Sequence, residues 1–318
     1  MLLTDILPGK RDLTWDYAKQ CGVNHAVLRL PETDGFDVTN FSHWQTIYKN
    51  LKDFEIKPVI IEPMPNYLHN HIKTGDSKRD WAIEQVIKML PIMDSLDIRT
   101  ICFNWMAHIG WLRTSDSLVE RGGSLVTGFD IKDFKPTDKA ITANELWENY
   151  EYFIKAVIPY AEKYNINLAL HPDDPPLEKL GEVSRIMISL DNIEKAVSGI
   201  VESKNLGVTM CQATYYMMGE DLYHAIEKLK DKIFFVHFRN ATGNKLSFRE
   251  TFHDNGELDM ANLIRFYKKL GINVPIRVDH VPLLAGETQG VAGYSTLGRL
   301  FAIGYLKGIL EAVEKEGK

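Results

Sequence analysis

Residues 207–240 read GVTMCQATYYMMGEDLYHAIEKLKDKIFFVHFRN, and the order of secondary-structure elements is clearest in this stretch. It begins with a short apolar run that ends at Cys211 and closes with a second apolar run at residues 233–238. Continuous apolar runs of this length are typical of strands buried on both faces of a parallel sheet. Between them, residues 221–229 space their apolar side chains three and four apart, as an amphipathic helix does. The stretch therefore predicts a strand–helix–strand unit of a parallel sheet.

The same alternation runs through the whole chain. We predict strands at residues 2–7, 25–30, 57–62, 100–105, 167–171, 207–211, 233–238 and 275–279. We predict helices at residues 80–96, 144–164, 190–201, 221–229, 260–270 and 296–313. The expected N-caps are Asp12, Asp191 and Asp259. Pro91 should kink or split the helix that contains it.

Eight strands that each precede a helix favour an α/β fold, the closed (β/α)8 TIM barrel, formed by one catalytic domain over residues 1–318. A doubly wound open sheet is the alternative, but the glycine-rich first turn that often accompanies it is missing from the sequence. Two long loops, residues 107–142 and 172–189, follow the fourth and fifth strands. They should lie on the C-terminal face of the barrel, where such loops build active sites.

Composition limits the class of function. The chain has 318 residues, of which 45% are hydrophobic and 25% charged, as in ordinary globular proteins. A formal net charge of −6 argues against a nucleic-acid or anionic-membrane partner. Three cysteines suggest no disulfide framework, and no apolar run approaches the roughly 20 residues that span a bilayer. We expect a soluble, cytoplasmic protein without a signal peptide, and apolar outer helices would permit a homodimer.

Four successive predicted strands end in side chains that bind transition metals. His171, Cys211 and Asp279 end their strands, and His237 comes one residue before the end of its strand. A lone cysteine is usually a small core residue, and a lone histidine is usually a hydrogen-bonded structural group. Four such residues at one rim of a barrel instead predict a site for one divalent metal. This donor set suits Mn²⁺, Fe²⁺, Co²⁺, Ni²⁺ or Zn²⁺ better than Mg²⁺ or Ca²⁺.

Further polar residues near these strand ends are candidates for substrate binding and catalysis. Arg239 lies two residues beyond His237, so it should face the same side and bind a substrate carboxylate, with a surface ion pair as the alternative. His280 and Tyr294 are candidates for proton transfer, although Tyr294 could equally be a packed loop aromatic. Weaker candidates for substrate contact are Asn240, His253 and Arg113. His253 could instead cap the next helix, and an arginine in a loop, such as Arg113, is usually solvated.

The segments LALHPDDPP, LGVTMC, VHFRN and PIRVDH, in this order on successive predicted strands, resemble the mannonate dehydratases. The blocks IKTGDSKRD, ICFNWM and GYSTLGRLFAIGYLKGILEA are also similar. The resemblance implies a xylose-isomerase-like barrel that dehydrates D-mannonate to 2-keto-3-deoxy-D-gluconate, with manganese as the usual metal. The metal ligands implied by motif are His171, Cys211, His237 and Asp279. The implied acid–base residues are His280 and Tyr294, with their individual roles open, and Arg239 matches the arginine of the HFRN motif.

Some positions on the predicted rim depart from the family pattern. A Thr-Gly-Ser run is typical after the cysteine, whereas residues 212–214 are Gln, Ala and Thr. Met106 is followed by Ala107 where the family favours proline, and His71 replaces an acidic residue. A related sugar acid therefore remains open as substrate. A metal-dependent sugar or sugar-acid isomerase or epimerase, or a non-catalytic sugar-acid binding homologue, are the alternatives. Asp279 is expected to act in catalysis beyond metal ligation.

Overall fold

A ring of parallel strands forms the centre of the structure, a computed structural model that describes residues 1–33, 35–288 and 290–316. In chain order the strands are β1 (Leu2–Leu3), β2 (Asp5–Pro8), β3 (His25–Arg29), β4 (Lys57–Ile61), β5 (Thr100–Asn104), β6 (Ser115–Val119), β7 (Leu125–Asp130), β8 (Ala140–Ile141), β9 (Asn167–His171), β10 (Lys179–Leu180), β11 (Glu182–Ser184), β12 (Leu206–Cys211), β13 (Ile233–Phe238), β14 (Ala241–Asn244), β15 (Ser247–Glu250) and β16 (Pro275–Val278).

The barrel strands pair in the order β1-β16-β13-β12-β9-β5-β4-β3-β2. Thr4 alone separates β1 from β2, so the two form one interrupted strand that pairs with β16 on one side and with β3 on the other. Because this interrupted strand pairs with both β16 and β3, it closes the ring. The predicted barrel is confirmed, with the first of its eight predicted strands divided in two.

Helices surround the ring. They are α1 (Leu13–Gln20), α2 (Phe41–Asp53), α3 (Asn66–Thr74), α4 (Arg79–Ser95), α5 (Ala143–Lys163), α6 (Leu190–Glu194), α7 (Gln212–Met218), α8 (Leu222–Lys228), α9 (Met260–Lys269) and α10 (Thr296–Lys315). All six predicted helices are present, but α1, α2, α3 and α7 were not predicted, and a π-helical turn at Lys195–Gly199 continues α6. None of the described helices is long and apolar enough to cross a membrane.

Two local predictions about the helices need correction. Asp12 and Asp259 are N-caps as predicted, but Asp191 lies in the first turn of α6, where Ser189 is the N-cap and accepts from the backbone N–H of Asn192. Of the two outcomes predicted for Pro91, a kink or a split, the split is wrong, because α4 runs through it. Both sides of this proline are held by buried apolar side chains that pack on the core, which offsets the lost backbone hydrogen bond.

The long loops fold into two small sheets above the carboxyl ends of the barrel strands. β6, β7, β15 and β14 form a four-stranded sheet, and β8, β11 and β10 form a three-stranded one. The first sheet joins the loop after β5 to the loop after β13, because β7 pairs antiparallel with β15. The two predicted loops, residues 107–142 and 172–189, thus lie at the C-terminal face of the barrel as expected. They also contain short paired strands, which were not predicted from the sequence.

Candidate metal centre and active site

A cavity of about 890 Å³ opens at the carboxyl ends of the barrel strands. Side chains from several strand ends contribute polar groups to its lining. Asn104 ends β5, His171 ends β9, and Glu62 and Asp279 directly follow β4 and β16. Parallel strands in a barrel bring these positions to one rim, so the cavity occupies the place where this fold carries its active sites.

Three of the four predicted metal ligands meet in this region. One ligand atom from each of His171, Cys211 and His237 lies within 4.8 Å of the other two. The pairing of β12 with β13 sets Cys211 beside His237, and the rings of the two histidines lie 4.9 Å apart. Nδ1 of His171 is 2.7 Å from the carbonyl oxygen of Pro172, which leaves Nε2 free for a ligand. We call these three residues the metal cluster.

Asp279 lies next to the metal cluster but outside it. Its Oδ2 is 3.5 Å from Nδ1 of His237, while its Oδ1 accepts from Arg277 Nη1 at 2.8 Å and from the Tyr294 hydroxyl at 3.2 Å. The structure therefore places Asp279 where it can join a metal site or hold the hydroxyl of Tyr294.

The charges around the metal cluster favour a cation. Burial by itself would raise the pKa of the Cys211 thiol, but Arg239, His171 and His237 outweigh burial and hold this pKa well below its usual value. Burial and Arg277 lower the pKa of His237, yet Glu62 and Asp279 outweigh them and raise it well above its usual value. Two carboxylates thus stabilise positive charge at His237, whether it comes from a proton or from a metal ion.

The hydrogen bonding of His237 supports the same conclusion. Among the described residues, neither ring nitrogen makes a hydrogen bond of acceptable geometry, although Glu62 Oε1 lies 3.0 Å from Nε2. A buried imidazole with unsatisfied nitrogens is costly unless a ligand satisfies it. With a thiolate and a second imidazole beside it, the donor set fits a divalent transition metal.

Behind the metal cluster lies a group of four buried charges, Arg113, Asp174, Arg239 and Glu250, which we call the ionic cluster. Arg239 donates from Nε and Nη2 to Glu250 at 2.8 and 2.6 Å, and from Nη1 to Asp174 at 2.7 Å. Arg113 pairs with the same two carboxylates at 2.7 and 2.6 Å. Burial would raise the pKa of both carboxyls, but the two arginines hold it well below the usual range. Nη1 of Arg239 also lies 3.4 Å from Cys211 Sγ.

The ionic cluster corrects the expected placement of Arg239 and Arg113. Neither arginine lines the cavity, and Arg239 is fully buried. Both guanidinium groups are already saturated by protein carboxylates, so they have little capacity left for the carboxylate of a substrate. Their role in this structure is to balance charge behind Cys211.

Asn240 and His253 also lie away from the cavity. The Asn240 amide donates to the carbonyl oxygens of His253 and Leu258, each at 3.1 Å. His253 stacks on Phe238, and its Nε2 is 2.8 Å from the carbonyl oxygen of that residue. Burial lowers the pKa of His253 to about 4, which keeps the ring neutral. Both side chains brace the loop after β13 instead of contacting a ligand, which corrects the predicted substrate contacts.

The two proton-transfer candidates do stand together at the cavity. The rings of His280 and Tyr294 are perpendicular, with centroids 5.5 Å apart, and Trp111 packs 4.7 Å from the His280 ring. Nδ1 of His280 is 3.1 Å from Glu250 Oε1. Burial and the nearby Asp279 carboxylate raise the pKa of Tyr294, so its hydroxyl stays protonated. His280 also has φ +39°, an uncommon conformation for a residue with a side chain and one that often marks functional sites.

The cavity-lining residues that the sequence did not assign to the site include Glu62, Lys73, Asn104 and Arg277. Glu62 and Arg277 form a bidentate ion pair at 2.7 and 2.9 Å inside the barrel. In the sequence, both residues are charged side chains in or next to an apolar strand, and this feature could have indicated the pair. Lys73 lies on α3, which was not predicted, so its approach to the cavity had no signal in the local pattern.

Comparison with known proteins agrees with this geometry. The sequence model of the D-mannonate dehydratase family matches residues 7–140 and 131–318. A curated mannonate dehydratase of Streptococcus uberis is 31% identical over 310 residues, which cover 86% of this chain and 87% of the relative. The crystal structure of mannonate dehydratase from Streptococcus suis serotype 2 matches with a TM-score of 0.89 at 26% identity, covering 99% of this chain and 94% of that one.

A more distant structure extends the likeness in fold. The xylose isomerase domain protein of Planctomyces limnophilus matches with a TM-score of 0.62 at 10% identity, over 99% of this chain and 96% of that one. At this identity the likeness concerns architecture alone. The barrel is thus of the xylose-isomerase-like type.

Proposed function

Because the chain belongs to the D-mannonate dehydratase family, we propose that it is a metal-dependent hydro-lyase that converts D-mannonate to 2-keto-3-deoxy-D-gluconate and water. The observation that carries the proposal is a cavity that two residues of the metal cluster share with two groups able to move protons. His171 and His237 line this cavity together with His280 and Tyr294. A dehydratase needs both features, since one lowers the cost of forming a carbanion and the other exchanges the protons.

The metal would be held by His171, Cys211 and His237, with Asp279 as a nearby carboxylate. Mn²⁺ is the first candidate, and Fe²⁺, Co²⁺, Ni²⁺ and Zn²⁺ suit the same donors. When bound, the ion supplies a Lewis acid that makes the C2 proton of a 2-hydroxy acid easier to remove. The protein supports this by keeping Cys211 as a thiolate through its contact with Arg239.

The proton steps require one base and one acid. Loss of water breaks the C2–H and C3–O bonds, and the resulting enol rearranges to the 2-keto acid. The contact of His280 Nδ1 with Glu250 favours a tautomer whose Nε2 is free to accept the C2 proton. Tyr294, whose pKa is raised first by burial and then by Asp279, suits the proton donor to the leaving C3 hydroxyl. This assignment goes beyond the sequence, which left the two roles open.

The test is product analysis under controlled metal content. The purified protein is stripped with a chelator, reloaded with Mn²⁺ without oxygen, and incubated with a panel of hexonates that includes D-mannonate. We expect a 2-keto-3-deoxy acid from D-mannonate only after reloading, detected by its reaction with semicarbazide and by NMR. An epimeric or isomeric product, or full turnover by the stripped protein, would contradict the proposal.

Matched cysteine variants connect activity to the site. Cys211→Ala should lose both bound metal, measured by elemental mass spectrometry, and turnover. Cys21→Ala is the control, because Cys21 is a half-buried cysteine outside the metal cluster. A Cys211→Ala protein that keeps full metal content and full turnover would rule out the proposed ligand.

A further inference from the structure

Lys73 is a buried cation that no carboxylate of the described residues neutralises. It lies in the last turn of α3, is 2% exposed and lines the cavity. Among the described residues, its Nζ has one hydrogen-bond partner, Asn104 Oδ1 at 3.4 Å, and no carboxylate oxygen lies within 4.0 Å. Lysine is rarely buried unless it is paired, because removing its charge from water is costly. An ammonium left in this state is available to an anion that enters the cavity.

The arginines that line the cavity are paired with carboxylates or exposed to solvent. Arg277 is paired with Glu62 and Asp279, and Arg299 donates to Asp5 at 2.5 and 3.0 Å. Arg29 is exposed to solvent. Of the described Lys and Arg residues that line the cavity, Lys73 is thus the buried one without a carboxylate partner.

Asn104 supplies a second donor at the same point. Its Oδ1 accepts both from Lys73 Nζ and from the backbone N–H of Met106, the latter at 3.1 Å. Two donors on the oxygen fix the orientation of the amide and leave Nδ2 for a ligand. The Cα of Asn104 is in register with that of His171 on the neighbouring strand, and such strands lie about 4.8 Å apart. The Lys73–Asn104 pair therefore stands next to the metal cluster.

We propose that Lys73 and Asn104 form the subsite that receives the carboxylate of the sugar acid. The proposal rests on the proposed function and deepens it, since it names the side chains that select an acid over a neutral sugar. A carboxylate offers two acceptor oxygens, which match the ammonium of Lys73 and the Nδ2 of Asn104. Burial lowers the pKa of Lys73 to about 8 in spite of the attraction of Asp173, as expected where a negative charge is missing.

The experiment compares two ligands that differ only in charge, D-mannonate and its neutral amide, D-mannonamide. Binding is measured by calorimetry at pH 7 with the full-length, Mn²⁺-loaded protein carrying Tyr294→Phe to slow turnover. In this background we expect a clear preference for the acid. Adding Lys73→Met should weaken D-mannonate binding by roughly 30-fold to 100-fold, the effect of one lost hydrogen bond to a charged group. D-Mannonamide affinity should change by less than about threefold.

Two further variants keep the test decisive. Lys88→Met removes an exposed lysine of α4 and should leave both affinities unchanged. Asn104→Asp supplies the missing carboxylate beside Lys73, so it should abolish the preference for the acid even if Lys73→Met fails to fold. Equal weakening of acid and amide in Lys73→Met, or equal affinity for the two before that change, would overturn the subsite.

The two proposals can fail separately. If the wild-type protein forms no keto acid from D-mannonate, the proposed reaction is wrong. The subsite can still be tested in that case, because the affinities for the acid and the amide are measured by calorimetry without turnover. D-Gluconate and D-gluconamide provide a second pair for the same measurement. If keto acid forms but Lys73→Met discriminates acid from amide as well as its parent does, the subsite fails and the dehydratase stands.

Discussion

Arg239 and Lys73 are both buried cations close to the same metal cluster, but their surroundings differ. Arg239 is saturated by Glu250 and Asp174 at 2.6 to 2.8 Å. Within the described part of the chain, Lys73 Nζ makes one hydrogen bond, a long one to Asn104 Oδ1 at 3.4 Å. Burial alone therefore does not show whether a cation has a structural role or binds a ligand, and its hydrogen-bond partners make the difference. A buried cation neutralised by protein carboxylates has a structural role, whereas one without a counter-ion is available to bind an anionic ligand.

The difference should appear in opposite responses to substitution. Removing one member of the ionic cluster leaves its partners buried and uncompensated, which strongly destabilises a protein. Removing Lys73 relieves the cost of a desolvated charge and should stabilise the fold while it impairs binding.

Arg239→Met should have the largest effect, a loss of roughly 3–5 kcal/mol in the free energy of unfolding. The variant leaves Glu250 and Asp174 with Arg113 as their remaining arginine, and it removes the guanidinium that contacts Cys211. Urea unfolding at pH 7 measures this loss. Arg265→Met, which breaks a half-exposed pair with Glu316, is the control and should change stability by less than about 1 kcal/mol. Similar losses in both variants would end the distinction between the two kinds of arginine.

Tyr294→Phe should separate catalysis from stability. Its hydroxyl donates to Asp279 at 3.2 Å, and the proposed acid is lost without a change in the ring. We expect kcat to fall by about 100-fold to 1,000-fold, since acid–base groups contribute at this level. The KM for D-mannonate and the unfolding free energy should change little, because the carboxylate subsite and the ionic cluster remain. Steady-state kinetics checks this, and a change confined to KM would refute the proton-donor role.

The barrel and the metal cluster could be predicted from the sequence, but the roles of Arg239 and Lys73 could not. The barrel and the metal cluster follow from features visible along the chain, namely apolar runs that end in His171 and Cys211 and a third run that has His237 one residue before its end. The role of Arg239 could not be read in the same way, because its partners Glu250 and Asp174 lie 11 and 65 residues away. Pairing between distant charges leaves no local pattern, and pairing decides whether an arginine is free.

Lys73 was missed for a different reason. It lies in α3, which begins without a side-chain N-cap and whose apolar positions are few, so the helix itself was not recognised. Its approach to the cavity depends on how α3 packs against the barrel beside β5. Position on a helix face becomes informative only when the helix is placed, which explains why the strand ends were easier to interpret.

Lys73→Met should raise the stability of the fold at pH 7 by about 1–3 kcal/mol. In the wild type, burial lowers the pKa of Lys73 from 10.5 to about 8. At pH 7 both folded and unfolded chains carry the charge, so the folded state bears the full cost. Between pH 8 and 10.5 the folded chain releases the proton first, so wild-type stability rises with pH and the gap to Lys73→Met closes. Urea unfolding at pH 7 and 9.5 measures both values, and a destabilised variant at pH 7 would contradict the expectation.

The smallest effect expected is on the pH dependence of binding. The charged and titratable groups that interact with Lys73 are His69 on its own helix, His108 after β5, Asp173 after β9 and Arg185 after β11. Their combined effect, with burial, leaves the pKa of Lys73 at about 8. A carboxylate binds the charged ammonium, so affinity for D-mannonate should be constant below pH 7 and fall about tenfold between pH 7 and 9. D-Mannonamide affinity should not follow this fall.

Lys73→Arg is the matched control for that measurement, because a guanidinium keeps its charge throughout this range. Calorimetry in the Tyr294→Phe background should therefore give a sloping profile for lysine and a flat one for arginine, even if arginine binds D-mannonate less tightly. A general effect of pH on the metal cluster would lower affinity equally in both proteins and for both ligands. Only titration of an unpaired ammonium at position 73 makes the acid and the amide diverge, so parallel profiles would remove the contrast between Lys73 and Arg239.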